Sequence, residues 1–252
     1  MFSFLQSTPP IDEPSAEWIF GVFRWALNNF DADVFKDETF LVTPTNKHFP
    51  GQASSPDEMA RLIFERVQNY AGMQRWPFQL LPPGSCLLDD NTKLEFSGAV
   101  RGENTAISAA SGPIGIMYDP SQVNAPEVMI AYFSYEMSRQ LASTAKELPP
   151  EAEDNGPHII ELMAVFMGFG LMYANTALNF PQGGCRSCGP STTRPAALSQ
   201  YDITYALALF TVLKGIPDKE VLSHLKKSLR SHFKRCIKDV RGRDGWLGQM
   251  PI

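Results

Sequence analysis

Apolar residues recur three and four positions apart in several long segments of the chain, which is the spacing of amphipathic helices. The first predicted helix spans residues 14–30 and begins at Pro14 and Ser15. A second begins at Ser55 or Pro56 and ends at Gly72, because glycine commonly follows the last turn of a helix. These two segments predict a helical start to the chain.

Short segments bounded by Gly, Pro, Asn and Asp follow, and this pattern is typical of β-strands. A short strand is expected at 40–43, before the second helix. Two of the later segments alternate apolar with polar residues, and we expect these later segments to form a small antiparallel sheet. They lie at 77–81, 93–97, 105–109 and 114–118.

After Tyr118 the pattern becomes helical, with helices predicted at 121–144, 158–179, 198–214 and 217–240. Strands followed by a run of helices indicate an α+β fold rather than a doubly wound α/β fold. We expect one domain over 1–252, with a mixed α/β part at 1–118 and a helical part at 119–252.

Two polar insertions, at 146–157 and 181–195, are predicted surface loops. The apolar stretch at 162–175 is shorter than the roughly 20 residues that cross a bilayer, so a buried core helix is expected there.

The net charge is −5 and the isoelectric point about 5.4. An acidic chain repels nucleic acid and anionic membranes, so we expect neither as a partner and consider a basic protein more suitable. The amino-terminal residues lack the basic region of a secretory signal, which predicts a cytoplasmic protein.

One predicted helix carries Tyr135, Glu136 and Arg139 at the spacing of the zinc-binding His-Glu-x-x-His motif. In that motif, histidines at i and i+4 bind the metal and the glutamate polarises a bound water. Arginine has no lone pair to offer, and a neutral tyrosine hydroxyl is a poor zinc ligand. This helix therefore lacks both metal-binding histidines.

Several motifs together resemble a family of uncharacterised bacterial zincin-like proteins. The motifs are Tyr-Ala-Gly-Met (70–73), Tyr-Asp-Pro (118–120), the Tyr-Glu-x-x-Arg helix, Glu-Leu-Met-Ala-Val-Phe-Met-Gly-Phe-Gly (161–170) with Ala-Asn (174–175), and Leu-Ser-Gln-Tyr-Asp-Ile-Thr-Tyr-Ala-Leu-Ala-Leu-Phe (198–210). Members of the family carry His-Glu-x-x-His on one helix and an acidic pattern at the start of the next. The resemblance implies a zincin-like helix pair in the second half of the chain.

Under this resemblance Glu136 matches the catalytic glutamate, Glu161 matches the acidic residue of the second helix, and His158 lies near the third ligand. One candidate ligand of three is too few for tight zinc binding, so no metal or cofactor is expected. Arg139 either pairs with Glu136 or Glu161 and fills the former metal site, or forms an ordinary i,i+3 surface pair with Glu136 worth about 0.2–0.5 kcal/mol.

Two further features carry candidate chemistry. Cys185 and Cys188 have the spacing of half a zinc knuckle or of a redox pair, but a second pair is missing, so a reduced pair is expected and metal is the weaker alternative. The basic residues between 226 and 243 indicate a solvated helix face rather than a nucleic-acid stripe.

Two function classes follow. The preferred hypothesis is a non-catalytic protein-binding module on a degenerate zincin-like scaffold, for example an immunity or accessory protein that neutralises a basic toxin or effector. The alternative is a peptidase-like, metal-dependent hydrolase that uses Glu136, His158 and Glu161. An enzyme would need at least three donors to converge on one point. The sequence leaves the oligomeric state open, including a homodimer.

Overall fold

The computed structural model describes residues 8–82, 84–85, 94–110, 112–178 and 194–252. Most of this part of the chain is helical, with a small amount of sheet, so the predicted α+β class is confirmed. The helices are α1 (Glu13–Asn29), α2 (Pro56–Tyr70), α3 (Pro126–Ala142), α4 (Ala152–Ala164), α5 (Gly170–Thr176), α6 (Gln200–Leu213), α7 (Asp218–His224), α8 (Lys227–Arg241) and α9 (Asp244–Leu247).

Three shorter helical segments accompany them. Val34–Glu38 and Val165–Phe169 are π-helical, and Pro120–Asn124 is a 3₁₀ turn directly before α3. The second π segment joins α4 to α5, so the predicted helix at 158–179 is a composite of three pieces.

Polar side chains fix the starts of three helices. Asp12 precedes α1, Ser55 precedes α2 and Ser199 precedes α6, and each accepts the backbone N–H of the residue three positions later. This interaction satisfies one of the N–H groups that the first turn of a helix leaves without a partner. The predicted starts of α1, α2 and α6 agree with these positions to within two residues.

The strands form three pairs. Strands β2 (Leu94–Phe96) and β3 (Ile107–Ala110) are antiparallel, as predicted. The prediction was wrong for β1 (Phe78–Leu81) and β4 (Ile114–Met117), which pair in parallel with Phe78 opposite Ile114. The β2–β3 pair lies between them in sequence, and so long a connection allows two strands to run in the same direction. A short parallel pair joins β5 (Ala177–Leu178) to β6 (Arg194–Pro195).

The strand expected at 40–43 does not form. The N–H of Val42 instead donates to the carbonyl oxygen of Gly168 at 3.0 Å, inside the π segment. Gly168 has φ +98°, and a Cβ placed on it would lie 2.1 Å from the carbonyl oxygen of Phe40. Only glycine allows this approach of two backbones.

The two parts of the chain share a hydrophobic core. Phe166 lies near its centre, stacked on Phe35 at 4.7 Å and edge-on to Phe23 at 6.0 Å between ring centroids. By length and composition the segment Ala152–Thr176 could cross a membrane, but 94% of its apolar window is buried inside the protein. It is therefore a core helix, as in a soluble protein.

The helix predicted at 217–240 is broken between α7 and α8. The side chain of Asn175 bridges the break, because its Oδ1 accepts the N–H of Lys226 and its Nδ2 donates to the carbonyl oxygen of His224, both at 3.0 Å. One buried amide thus replaces the backbone hydrogen bonds that a continuous helix would make here.

The predicted loop at 146–157 is shorter in the structure, because α4 begins at Ala152 and includes Pro157. The predicted loop at 181–195 lies outside the described residues except for β6.

Candidate binding site

Helix α3 brings two candidate side chains and a further tyrosine to one face. Tyr132, Tyr135 and Glu136 stand at i, i+3 and i+4 and line a groove of about 430 Å³. This tyrosine groove is also lined by Pro157 and Glu161 of α4, by Tyr173 of α5 and by residues 196–197. The structure therefore brings Glu136 and Glu161 to the same depression.

Glu136 is paired with Arg139. The Nε and Nη2 atoms of Arg139 donate to one carboxylate oxygen of Glu136 at 3.2 and 3.0 Å. The Arg139 side chain is 45% exposed, and it does not line the tyrosine groove. The guanidinium lies at the surface instead of filling a site between the two glutamates, so the geometry is that of an i,i+3 surface pair.

Glu161 is almost fully buried and acts as an anchor for the backbone. Its carboxylate accepts the N–H of Ala197 at 3.1 Å and the N–H of Leu198 at 2.9 Å. Charge-assisted bonds of this kind are about twice as strong as neutral ones. Glu161 thereby fixes the short extended segment before α6, which forms one edge of the groove.

His158 does not line the tyrosine groove. It lines a second depression of about 340 Å³, here called the tryptophan cleft, together with Trp18 of α1. Glu151 and Asp202 also line this cleft, and Ala197 borders both depressions. The Nδ1 atom of His158 is buried and makes no hydrogen bond with the described part of the chain.

The three donors of the hydrolase alternative do not converge. Glu136 lines the tyrosine groove, His158 lines the tryptophan cleft, and Glu161 holds the segment between them. Across residues 8–178 and 194–252, apart from the gaps given above, no three His, Cys, Asp or Glu side chains are placed to hold a metal ion. Cys185 and Cys188 lie outside the described residues, so their chemistry stays a prediction.

The two depressions share an electrostatic character. Burial, and then the charge of Glu136, raise the pKa of Tyr132, so its hydroxyl stays protonated at neutral pH. Neither depression has a lysine or arginine among its described lining residues, whereas both contain carboxylates. Two other surface depressions differ in this respect, since one is lined by Arg61 and another by Arg241.

Comparison of the sequence with protein-family models, with curated proteins and with solved structures gave no match. The zincin-like resemblance therefore stays a prediction, and the site must be interpreted from its own residues.

Sequence reasoning missed several lining residues. Tyr132 could have been found, because it lies three residues before Tyr135 on the same helical face. Tyr173, Trp18 and Asp202 come from helices far apart in sequence, and nothing local indicates that those helices meet.

The basic residues near the carboxyl end lie as predicted. Helix α8 packs through Leu229, Phe233 and Ile237, which are buried, while Lys227, Lys234 and other basic side chains on the opposite face are exposed.

Proposed function

We propose that the chain is a protein-binding module that recognises a basic partner through the tyrosine groove and the tryptophan cleft. The observation that carries this proposal is the pair of adjoining depressions that share Ala197 and contain aromatic rings and carboxylates but no described lysine or arginine. Tyrosine and tryptophan are enriched at the energetic centres of protein interfaces, because they offer a large apolar area with one polar atom.

Complementary charge gives such a surface its selectivity. A partner that presents lysine or arginine beside apolar side chains would find carboxylates at Glu136, Glu151 and Asp202 and apolar rings at Tyr132 and Trp18. Opposite potentials steer association and disfavour acidic competitors. The overall charge of −5 acts in the same direction.

We extend this proposal to the scaffold and its context. The meeting of Glu136 and Glu161 in one groove supports a degenerate zincin-like helix pair, and the pairing of Glu136 with Arg139 supports loss of its chemistry. A cytoplasmic immunity or accessory protein that occludes a basic toxin or effector is the concrete form of this function.

Selection of random dodecapeptides against the immobilised protein tests the proposal. Peptides that carry lysine or arginine beside apolar residues should be enriched. The combined variant Tyr132→Ala/Glu136→Gln/Glu151→Gln should weaken their binding at least about tenfold, because loss of one central tyrosine alone costs about 2 kcal/mol at an interface.

The matched control changes the same residue types elsewhere on the surface. Tyr201→Ala/Glu65→Gln/Glu220→Gln removes an exposed tyrosine and two exposed carboxylates outside both depressions, and it should leave binding within about twofold. Enrichment of acidic or uncharged peptides, or equal loss in both variants, would contradict the proposal.

Metal analysis separates the proposed function from the hydrolase alternative. Native mass spectrometry of the purified protein is run beside Glu136→Ala and Cys185→Ser. We expect the zinc content to be unchanged by Glu136→Ala. Stoichiometric zinc that Glu136→Ala removes would favour the hydrolase, and zinc that only Cys185→Ser removes would indicate a structural loop site.

A further inference from the structure

Basic charge is concentrated in one segment of the chain. Residues 226–243 contain eight of the 22 lysines and arginines, and Asp239 is the only carboxylate among them. The rest of the molecule is correspondingly acidic. A helix of this kind presents a positive stripe on a negative protein.

The four arginines of this segment are all held by their own chain. Arg241 binds one carboxylate with two nitrogens, Arg243 binds two carboxylates with three nitrogens, and Arg230 and Arg235 donate to main-chain carbonyl oxygens. The acceptors are the carboxylates of Asp218, Glu13 and Asp239 and the carbonyl oxygens of Ser223, Leu225, Thr8 and Pro9. The guanidinium groups of these arginines therefore already donate hydrogen bonds within the fold.

Three lysines of α8 differ from the arginines. Lys227, Lys234 and Lys238 are exposed, and they make no hydrogen bond or ion pair with any residue that the structure describes. Their separations of seven and four residues place them on one line along the helix, with exposed Ser231 between the first two. The line measures about 16 Å, with intervals of about 10 and 6 Å between successive Cα positions.

The chemistry of this lysine stripe favours one class of partner. Membrane insertion needs exposed apolar residues beside the cations, and the large exposed apolar residues of the described chain, Phe40, Leu148, Tyr201 and Ile252, are not on α8. Nucleic acid is favoured by free arginines and by aromatic rings between the cations. On α8 the arginines are engaged, and the acidic remainder of the surface would repel a long polyanion that extends past the stripe.

We propose that the lysine stripe of α8 is the docking surface for an acidic helix of a protein partner. A helix with carboxylates seven and four residues apart repeats the intervals of Lys227, Lys234 and Lys238, so the pairs can form in register as they do along the flanks of coiled coils. This site is separate from the two depressions and does not rest on their proposed function.

A designed peptide tests the register. The probe is an amidated, fluorescein-labelled helix of alanine and glutamine that carries glutamates at i, i+7 and i+11 and a hydrocarbon staple on its opposite face. A second peptide has the same composition with its glutamates distributed around the helix. Binding to the full chain is measured by fluorescence anisotropy at low and high salt.

The in-register peptide should bind at least about fivefold more tightly than the distributed one, and raised salt should weaken it. Lys227→Gln/Lys234→Gln/Lys238→Gln should weaken its binding about tenfold, the effect of three exposed charge pairs. The matched control Lys47→Gln/Lys146→Gln/Lys219→Gln removes three exposed lysines elsewhere and should change binding less than about twofold.

Several outcomes would overturn the proposal. These are no binding of the in-register peptide, equal affinity for both peptides, equal loss in the control variant, or tighter binding to a single-stranded oligonucleotide of matched charge or to phosphatidylserine vesicles. Circular dichroism of both variants establishes that each retains the fold, so a loss of binding reports on the stripe itself.

Discussion

Replacing Gly168 with alanine should destabilise the protein strongly, although it adds only one methyl group. The backbone at this position has φ +98°, and the added Cβ would lie 2.1 Å from the carbonyl oxygen of Phe40. A non-glycine residue in this region costs about 1–2 kcal/mol. Relieving the contact also moves Val42 away from its hydrogen bond to Gly168, at a cost of about 1–2 kcal/mol. We therefore expect a total loss near 3 kcal/mol.

Thermal unfolding followed by tryptophan fluorescence measures this loss. For a chain of this size, about 3 kcal/mol lowers the melting temperature by roughly 6–12 °C. Gly245→Ala is the control, because nothing lies within 4 Å of a Cβ at that helical glycine and no proline follows it. It should leave stability unchanged or raise it by up to about 1 kcal/mol. If Gly168→Ala melts within about 2 °C of the parent protein, the close backbone approach is not a feature of the fold.

Two further predictions concern buried polar groups. Tyr205→Phe removes the hydroxyl that donates to Asp239 at 2.6 Å. The free energy of unfolding in urea should fall by only about 1–2 kcal/mol, because Arg243 still bonds that carboxylate. An unchanged urea midpoint would show that the hydroxyl bond contributes nothing to stability. Burial lowers the pKa of His48 and of His232 below the ordinary 6.5, so the unfolded chain binds more protons than the folded chain just below that pH. Stability should fall as the pH drops from about 7.5 to 5.5, and His48→Gln/His232→Gln should flatten this fall. An equally steep fall in the double variant would show that these two histidines do not cause the pH dependence.

Local chemistry predicted the helices well. The starts of α1, α2 and α6 follow from a capping side chain and from apolar spacing, both of which are visible within a few residues of sequence. The break between α7 and α8 could not be predicted, because its cause is the side chain of Asn175, about 50 residues away. The absence of a strand at 40–43 has the same kind of cause, because the N–H of Val42 bonds the carbonyl oxygen of Gly168, which is distant in sequence.

The candidate site was predictable to a similar degree. Helical spacing alone places Tyr135 and Glu136 on one face and Arg139 within reach of Glu136. The acceptor role of Glu161 depends on Ala197 and Leu198, which only the tertiary fold brings to it. The assignment of His158 to a different depression from the two glutamates likewise depends on the tertiary fold.

The anchoring of residues 197–198 by Glu161 has a consequence for how this surface can evolve. The anchor binds main-chain N–H groups, which every residue except proline supplies. The side chains at Ala196 and Ala197 border the depressions but take no part in the anchor. Substitution there can widen, narrow or recharge the surface between the two depressions while the scaffold stays intact. Under the proposed function, partner preference can therefore change without a new fold.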